Sequence, residues 1–222
     1  MARHPGTRVV LFDLDGTLVD SAPDIAAALS RLMATRGLAG FQREEVIPMI
    51  GDGAKVLLDR AFAARGLEPD AAALPAFLLD YEAHAAVETR PFPGIPEALD
   101  SLSRGGWSLA VCTNKPEAPA RALLAALGLA GRFDAIIGGD SLPVRKPDPL
   151  HLLGTIAAAG GHRARAAMIG DHANDVRAAA AAQIPALFCA WGYGPPHMAD
   201  GAPVAACAAD LPGLLDGMLP AA

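Results

Sequence analysis

The sequence predicts an α/β protein built on a parallel sheet, with an all-helical segment inserted after the first strand. Three observations lead there. Five short apolar runs have strand character, helical stretches separate the later four, and the interval from Ser21 to about Arg90 holds only helical stretches. Strands alternating with helices indicate βαβ units, hence a Rossmann-like parallel sheet with helices on both faces.

The first run is RVVLF (8–12), followed at once by DLDGTLVD (13–20). From Ser21 the alternation stops. PDIAAALSRLMATRG, REEVIPMIG, GAKVLLDRAFAARG and DAAALPAFLLDYEAHAA each carry apolar residues at helical spacing and end near Gly or a polar cluster. The return segment TRPFPGIPEAL holds Pro91, Pro93 and Pro96 and reads as a stiff connector. The later strands are SLAVCT (108–113), FDAIIGG (133–139), AAMIG (166–170) and PALFCAW (185–191). Helices are expected at IPEALDSLSRG, KPEAPARALLAALG, PDPLHLLGTIAAAG and NDVRAAAAAQ. The expected organisation is an α/β core from 1–20 and 91–222, and a helical module from 21–90.

Composition bounds the function. The chain has 222 residues, enough for one large domain or a domain with an insertion, and is 52% hydrophobic. Two Trp, two Tyr and seven Phe leave the core to aliphatic residues. The net charge is -6, and no Lys/Arg run tracks a phosphate backbone, so nucleic acid is not an expected partner. Cys112, Cys189 and Cys207 stand far apart without CxxC spacing, which argues against a disulfide framework or zinc site; Cys112 and Cys189 read as core fillers. The basic N-terminus is a poor signal peptide because Asp13 and Asp15 break its apolar stretch, and no apolar run reaches the length of a membrane span. A soluble, cytoplasmic protein is expected, with no membrane partner and no sign in the sequence to separate monomer from homodimer.

Ligands of an open parallel sheet bind outside the carboxyl ends of its strands. The expected strand ends carry Asp13 and Asp15, then Thr113 and Asn114, then Asp140, Ser141 and Lys146, then Asp171 and Asp175. So much acid at one edge needs a cation, or like-charge repulsion would force protonation. Mg²⁺ fits an oxygen-ligand site that pairs carboxylates with a substrate phosphate. Lys146, Thr113 and backbone N–H groups near Gly16 and Thr17 suit the remaining phosphate oxygens. Metal binding alone does not explain the spacing of Asp13 and Asp15. A turn at Gly16 would rotate one carboxylate away from the other; one could attack phosphorus, and the other could protonate the leaving oxygen and later activate water.

DLDGTLVDS, TNK, RKPDP and GDHAND, in that order, resemble the four motifs of the haloacid dehalogenase superfamily of phosphotransferases. The likeness spans nearly the whole chain, and the helical module falls where that superfamily carries its C1 cap. LFDLDGTLVDSAPDIAAAL, IGDGAKVLLDRA and IGGDSLPVRKPDP are more narrowly similar to the phosphoglycolate phosphatases. That resemblance implies a Mg²⁺-dependent phosphatase of a small phosphorylated metabolite, 2-phosphoglycolate. It implies Asp13 as nucleophile, Asp15 as general acid/base and backbone metal ligand, and Thr113 and Lys146 as phosphoryl holders. Asp171 would be a direct metal ligand, and Asp175 would support metal waters or Lys146. His172 departs from the usual Ser, and would reach a metal water or substrate, or cap the next helix.

Blander readings stand beside these. Asn114 is a turn residue or a substrate contact. Gly51, Asp52 and Gly53 are a helix start with Asp52 as N-cap, or a cap loop whose N–H groups at Gly53 and Ala54 meet a substrate carboxylate. Lys55 and Arg60 are a solvated helix face, or either of them, Arg60 first, meets substrate. Arg145 reads as a surface charge, GYGPP (192–196) as a plain loop, and His151, His162 and His197 as surface residues. Rival functions are a sugar-phosphate phosphatase (one acting on N-acetylmuramic acid 6-phosphate, for example), a beta-phosphoglucomutase-like phosphotransferase, and a non-catalytic metal-binding or interaction module.

Overall fold

A computed structural model of the chain describes residues 7–84 and 86–221; the basic N-terminal start, the two outer ends of the expected core and Ala85 lie outside them. Strand β1 (Arg8–Phe12) is buried at every position. That is why it reads as an unbroken apolar run rather than an alternation: both of its faces are covered. After a turn, β2 (Val19–Asp20) leads into helices α1 (Ala22–Ala34), α2 (Arg43–Val46), α3 (Ala54–Ala64) and α4 (Ala73–Ala83). The chain returns through β3 (Arg90–Pro91) and α5 (Ile95–Arg104). It continues with β4 (Trp107–Cys112), α6 (Glu117–Ala126), β5 (Ala135–Ile137), α7 (Pro149–Ala158), β6 (Ala166–Gly170), α8 (Ala173–Ala182), β7 (Ala186–Cys189), β8 (Val204–Ala205) and α9 (Leu211–Met218).

The main sheet runs β5-β4-β1-β6-β7-β8, and every neighbouring pair is parallel. Its residues alternate between two cores. Val10, Phe12, Leu109, Val111, Ala167 and Ile169 pack with α5, α6 and α9. Val9, Leu11, Ala110, Cys112, Ala166 and Met168 face α7 and α8. Helices on both faces are what a parallel sheet demands, and the five expected strands are all present. Cys112 and Cys189 are buried free thiols, and Cys207 is exposed. Among the described residues no helix is long and apolar enough to cross a membrane.

Four features depart from the expectation. The interval ending at Arg90 does contain strand structure: Val19↔Pro91 and Asp20↔Arg90 pair as a small antiparallel ribbon where the chain leaves the sheet and returns. Pro91 therefore sits in a ladder rather than in a free connector, and two residues per strand are too few to show a period. Buried Asp24 ties the same crossing from the helical side, its carboxylate accepting from the N–H groups of Glu88 and Thr89 and from Thr89 Oγ1. The edge strand β8 and the helix α9 were not foreseen; β8 is two residues in an Ala-rich stretch. His151 is fully buried, not a surface residue: it lies on α7 with Nε2 3.0 Å from Gly138 O and Nδ1 3.6 Å from Cys112 Sγ.

Candidate active site

β1 is central, with β4 and β6 on either side, so the carboxyl ends of these three strands lie together. Asp13 extends the ladder past β1, its N–H donating to Ile169 O. Thr113 follows β4 and Asp171 follows β6. Asp13, Asp171 and Asp175 are buried, and one carboxylate oxygen of each lies within 4.8 Å of the others. Lys146, on the approach to α7, reaches Asp175 Oδ1 at 2.6 Å and Asp13 Oδ1 at 3.0 Å. Burial disfavours its charge, but Asp13 and Asp175 outweigh that and hold it protonated.

The turn after β1 separates the two aspartates. Gly16 has φ +87°, a conformation L side chains rarely adopt, and a Cβ there would collide with the Asp171 carboxylate. The N–H groups of Gly16 and Thr17 donate to Val19 O and Leu14 O within this turn. They are therefore not the free phosphate donors expected of them. Thr17 acts through its side chain, donating from Oγ1 to Asp171 Oδ1 at 2.7 Å. Asp15 is turned away from the acidic trio: its Oδ1 accepts from Ser21 Oγ at 2.6 Å, and both its oxygens meet Lys115 Nζ, at 3.0 and 3.1 Å.

GYGPP is more than a loop. The N–H groups of Tyr193 and Gly194 donate to Asp171 Oδ2, and Tyr193 Oη donates to Asp20 Oδ1 while accepting from Ala22 N–H. Asp171 is thus held by three donors. Even so, burial, and then Asp13, push its carboxyl up to about 6. Burial also pushes the Asp175 carboxyl up, opposed by Lys146. These residues fit a hard divalent cation: buried oxygen ligands whose mutual repulsion such an ion would relieve.

His172 caps α8. Its Nδ1 accepts from Asn174 N–H, and Asp175 Oδ2 accepts from His172 N–H in return. The same ring packs against Gly51, leaving no room for a Cβ there. The 51–53 loop crosses from the helical insertion onto the core. Gly51 O accepts from Asn114 Nδ2 at 2.9 Å and Asn174 Nδ2 at 3.3 Å, and Asp52 Oδ1 accepts from Asn174 Nδ2 at 2.7 Å. Gly53, not Asp52, is the N-cap of α3. Arg60 pairs with Asp52 and donates to Met49 O, and is not a wall of the cavity. Asp140 is spent on Glu117 N–H, away from the acidic trio.

Between the two layers lies a cavity with Asp13, Asp15, Thr113 and Asn114 at its floor. Gly53 and Ala54, at the N-terminus of α3, line it beside apolar Ile25, Ile50, Leu57 and Phe77. Two wall residues escaped the sequence reading. Lys115 is buried within the TNK motif, and Tyr81 lies on α4 with its ring centroid 4.3 Å from Lys115 Nζ. The motif placed Lys115 near the strand end; only the fold brings Tyr81 to it.

Residues 7–183 match the family model described as haloacid dehalogenase-like hydrolase. A protein named phosphoglycolate phosphatase from Agrobacterium fabrum is 45% identical over 197 residues, covering 87% of this chain and 84% of its own length. Among solved structures, a predicted phosphoglycolate phosphatase from Haemophilus somnus 129PT superposes with a TM-score of 0.86 at 29% identity, covering 94% of this chain and 98% of that one. CbbY from Rhodobacter sphaeroides, solved in complex with phosphate, gives 0.79 at 26% identity over 92% of this chain and 96% of its own.

Proposed function

The chain belongs to the haloacid dehalogenase-like hydrolases, and we propose that it is a Mg²⁺-dependent phosphatase hydrolysing 2-phosphoglycolate through a phosphoryl group carried on Asp13. The observation that carries this reading is the convergence of Asp13 and Asp171, at the adjacent ends of β1 and β6, with Asp175 on α8 and Lys146 before α7, beside a second aspartate turned to face the cavity. The names of the relatives, phosphoglycolate phosphatases at about 45% identity, support the substrate.

Asp13 Oδ1 accepts from Leu14 N–H at 2.7 Å and lies against Lys146, which fixes the carboxylate in the cavity floor. Its attack on phosphorus forms a P–O bond as the bond to the glycolate oxygen breaks, and Asp15 gives that oxygen its proton. Asp15 then takes a proton from water, whose oxygen attacks phosphorus and returns Asp13 as phosphate leaves. Thr113 and Lys146 hold the phosphoryl oxygens through both steps. Asp13, Asp171 and the Asp15 backbone carbonyl would hold Mg²⁺, with Asp175 supporting it through Lys146 or metal waters. Bound there, the ion supplies charge neutralisation for the phosphoryl group.

We read residues 21–90 as a cap domain whose seating excludes bulk water. The N–H groups of Gly53 and Ala54, at the positive end of α3, favour a second negative charge on the substrate. Asn114 positions the 51–53 loop, and Arg60 braces Asp52 within it. Comparing kcat/KM for 2-phosphoglycolate and glucose 6-phosphate tests the substrate. At least tenfold preference for 2-phosphoglycolate is expected. A tenfold preference for the sugar phosphate would refute the substrate and favour a sugar-phosphate phosphatase. No hydrolysis of either with Mg²⁺ would refute the phosphatase.

A further inference from the structure

We infer that Lys115 and Tyr81 supply the side-chain donors that recognise the substrate's carboxylate, in addition to the N–H groups of Gly53 and Ala54, and that they set preference for esters whose organic part carries its own anion. The inference rests on the phosphatase reading and deepens it. Among the described residues lining the cavity, Lys115 is the one cation. Lys146 is spent on Asp13 and Asp175 at the phosphoryl end. Whatever lies on the far side of the scissile bond therefore meets Lys115 among apolar walls.

Burying an ammonium is costly unless it is paired and hydrogen-bonded. Two of the three N–H donors of Lys115 Nζ are matched by the two oxygens of Asp15, and the third is left to the Tyr81 side of the ammonium. Its remaining neighbour is the face of the Tyr81 ring. Tyr81 Oη supplies a second observation: it is buried, and its O–H finds no acceptor among the described residues. A buried polar group left unpartnered is uncommon and asks for an explanation. A phenol hydroxyl and an ammonium side by side make a two-donor site, and a carboxylate is the acceptor that takes both. Tyr81 remains a neutral donor at working pH, since burial pushes its hydroxyl up to about 12. A hexose would need several hydroxyl partners from the same walls, where Ile25, Leu57 and Phe77 offer none.

Tyr81→Phe removes the hydroxyl and keeps the ring, without touching the Lys115–Asp15 pair. The experiment compares 2-phosphoglycolate with 2-hydroxyethyl phosphate, which is close in size and lacks the carboxylate. Wild-type kcat/KM should favour 2-phosphoglycolate by at least tenfold. In Tyr81→Phe that ratio should fall about tenfold, through KM for the anionic ester, as loss of one hydrogen bond to a charged group implies. Inhibition by inorganic phosphate, which does not reach the far wall, should stay within twofold. Lys115→Met should abolish the preference, and Lys115→Arg should restore part of it. An unchanged ratio in Tyr81→Phe and Lys115→Met overturns the inference, as does a wild type that favours neither ester; the phosphatase reading then stands. A wild type that hydrolyses neither ester overturns both.

Discussion

Asp52→Ala should loosen the seating of the helical insertion on the core. In the structure the Asp52 carboxylate accepts from Asn174 Nδ2 at 2.7 Å and pairs with Arg60. Asn174 is 7% exposed, so in the variant its amide would keep only the longer bond to Gly51 O, 3.3 Å. A hydrogen bond from a buried amide to a carboxylate contributes about 1.5–3 kcal/mol. The Arg60 pair adds little, because its side chains are 40% and 29% exposed and water screens them. The seated arrangement should therefore lose about ten- to a hundredfold against the unseated one. KM should rise by at most that factor while kcat at saturation holds, since Asp13, Asp15 and Lys146 are untouched. Hydrogen exchange over 51–57 should quicken in parallel, and Asn174→Ala in the Asp52→Ala background should add less than it does alone. Unchanged KM and exchange in Asp52→Ala would refute the reasoning.

Asp13→Asn should keep the fold and lose several orders of magnitude in kcat, because the near-isosteric amide cannot attack phosphorus; near-normal turnover, with deamidation excluded by mass spectrometry, would reject the nucleophile. Excess EDTA should abolish hydrolysis and Mg²⁺ restore it. Ca²⁺ should inhibit, since it takes more ligands at longer distance; full activity in EDTA would reject the metal. For pH, Asp171 is raised to about 6 by burial and by Asp13, against an unfolded value near 3.9. Its contribution to stability is therefore complete below about pH 4 and lost as pH rises through 6. In EDTA the loss between pH 5 and 7.5 is about 1.4 kcal/mol, so the thermal midpoint should drop by roughly 3–5 °C, and Mg²⁺ should flatten that slope; equal slopes in both conditions would contradict the assignment.

Much of this molecule was legible in the sequence because two signals are local. A strand buried on both faces must be apolar throughout, and β1, β4 and β6 announce themselves that way. Charged residues at the ends of such strands have few structural reasons to be there, so Asp13 and Asp171 stood out before any fold was known, while Lys146 stood out by its place in RKPDP. The two-residue β2, β3 and β8 left no period to read. His151 looked like any helical histidine, and only packing shows its ring beneath Gly138.

What the tertiary structure alone decided is which distant groups meet. Tyr193 N–H reaches an Asp171 oxygen across 22 residues, Thr17 reaches the other across 154, and Asn174 reaches Asp52 across 122. Tyr81 and Lys115 come from different layers, one on α4 and one just past β4. Periodicity along a chain records how far each residue is withdrawn from water, a property of one position. A bond donor's partner is a property of two positions, and it exists only once the chain has paid the entropy of bringing them together.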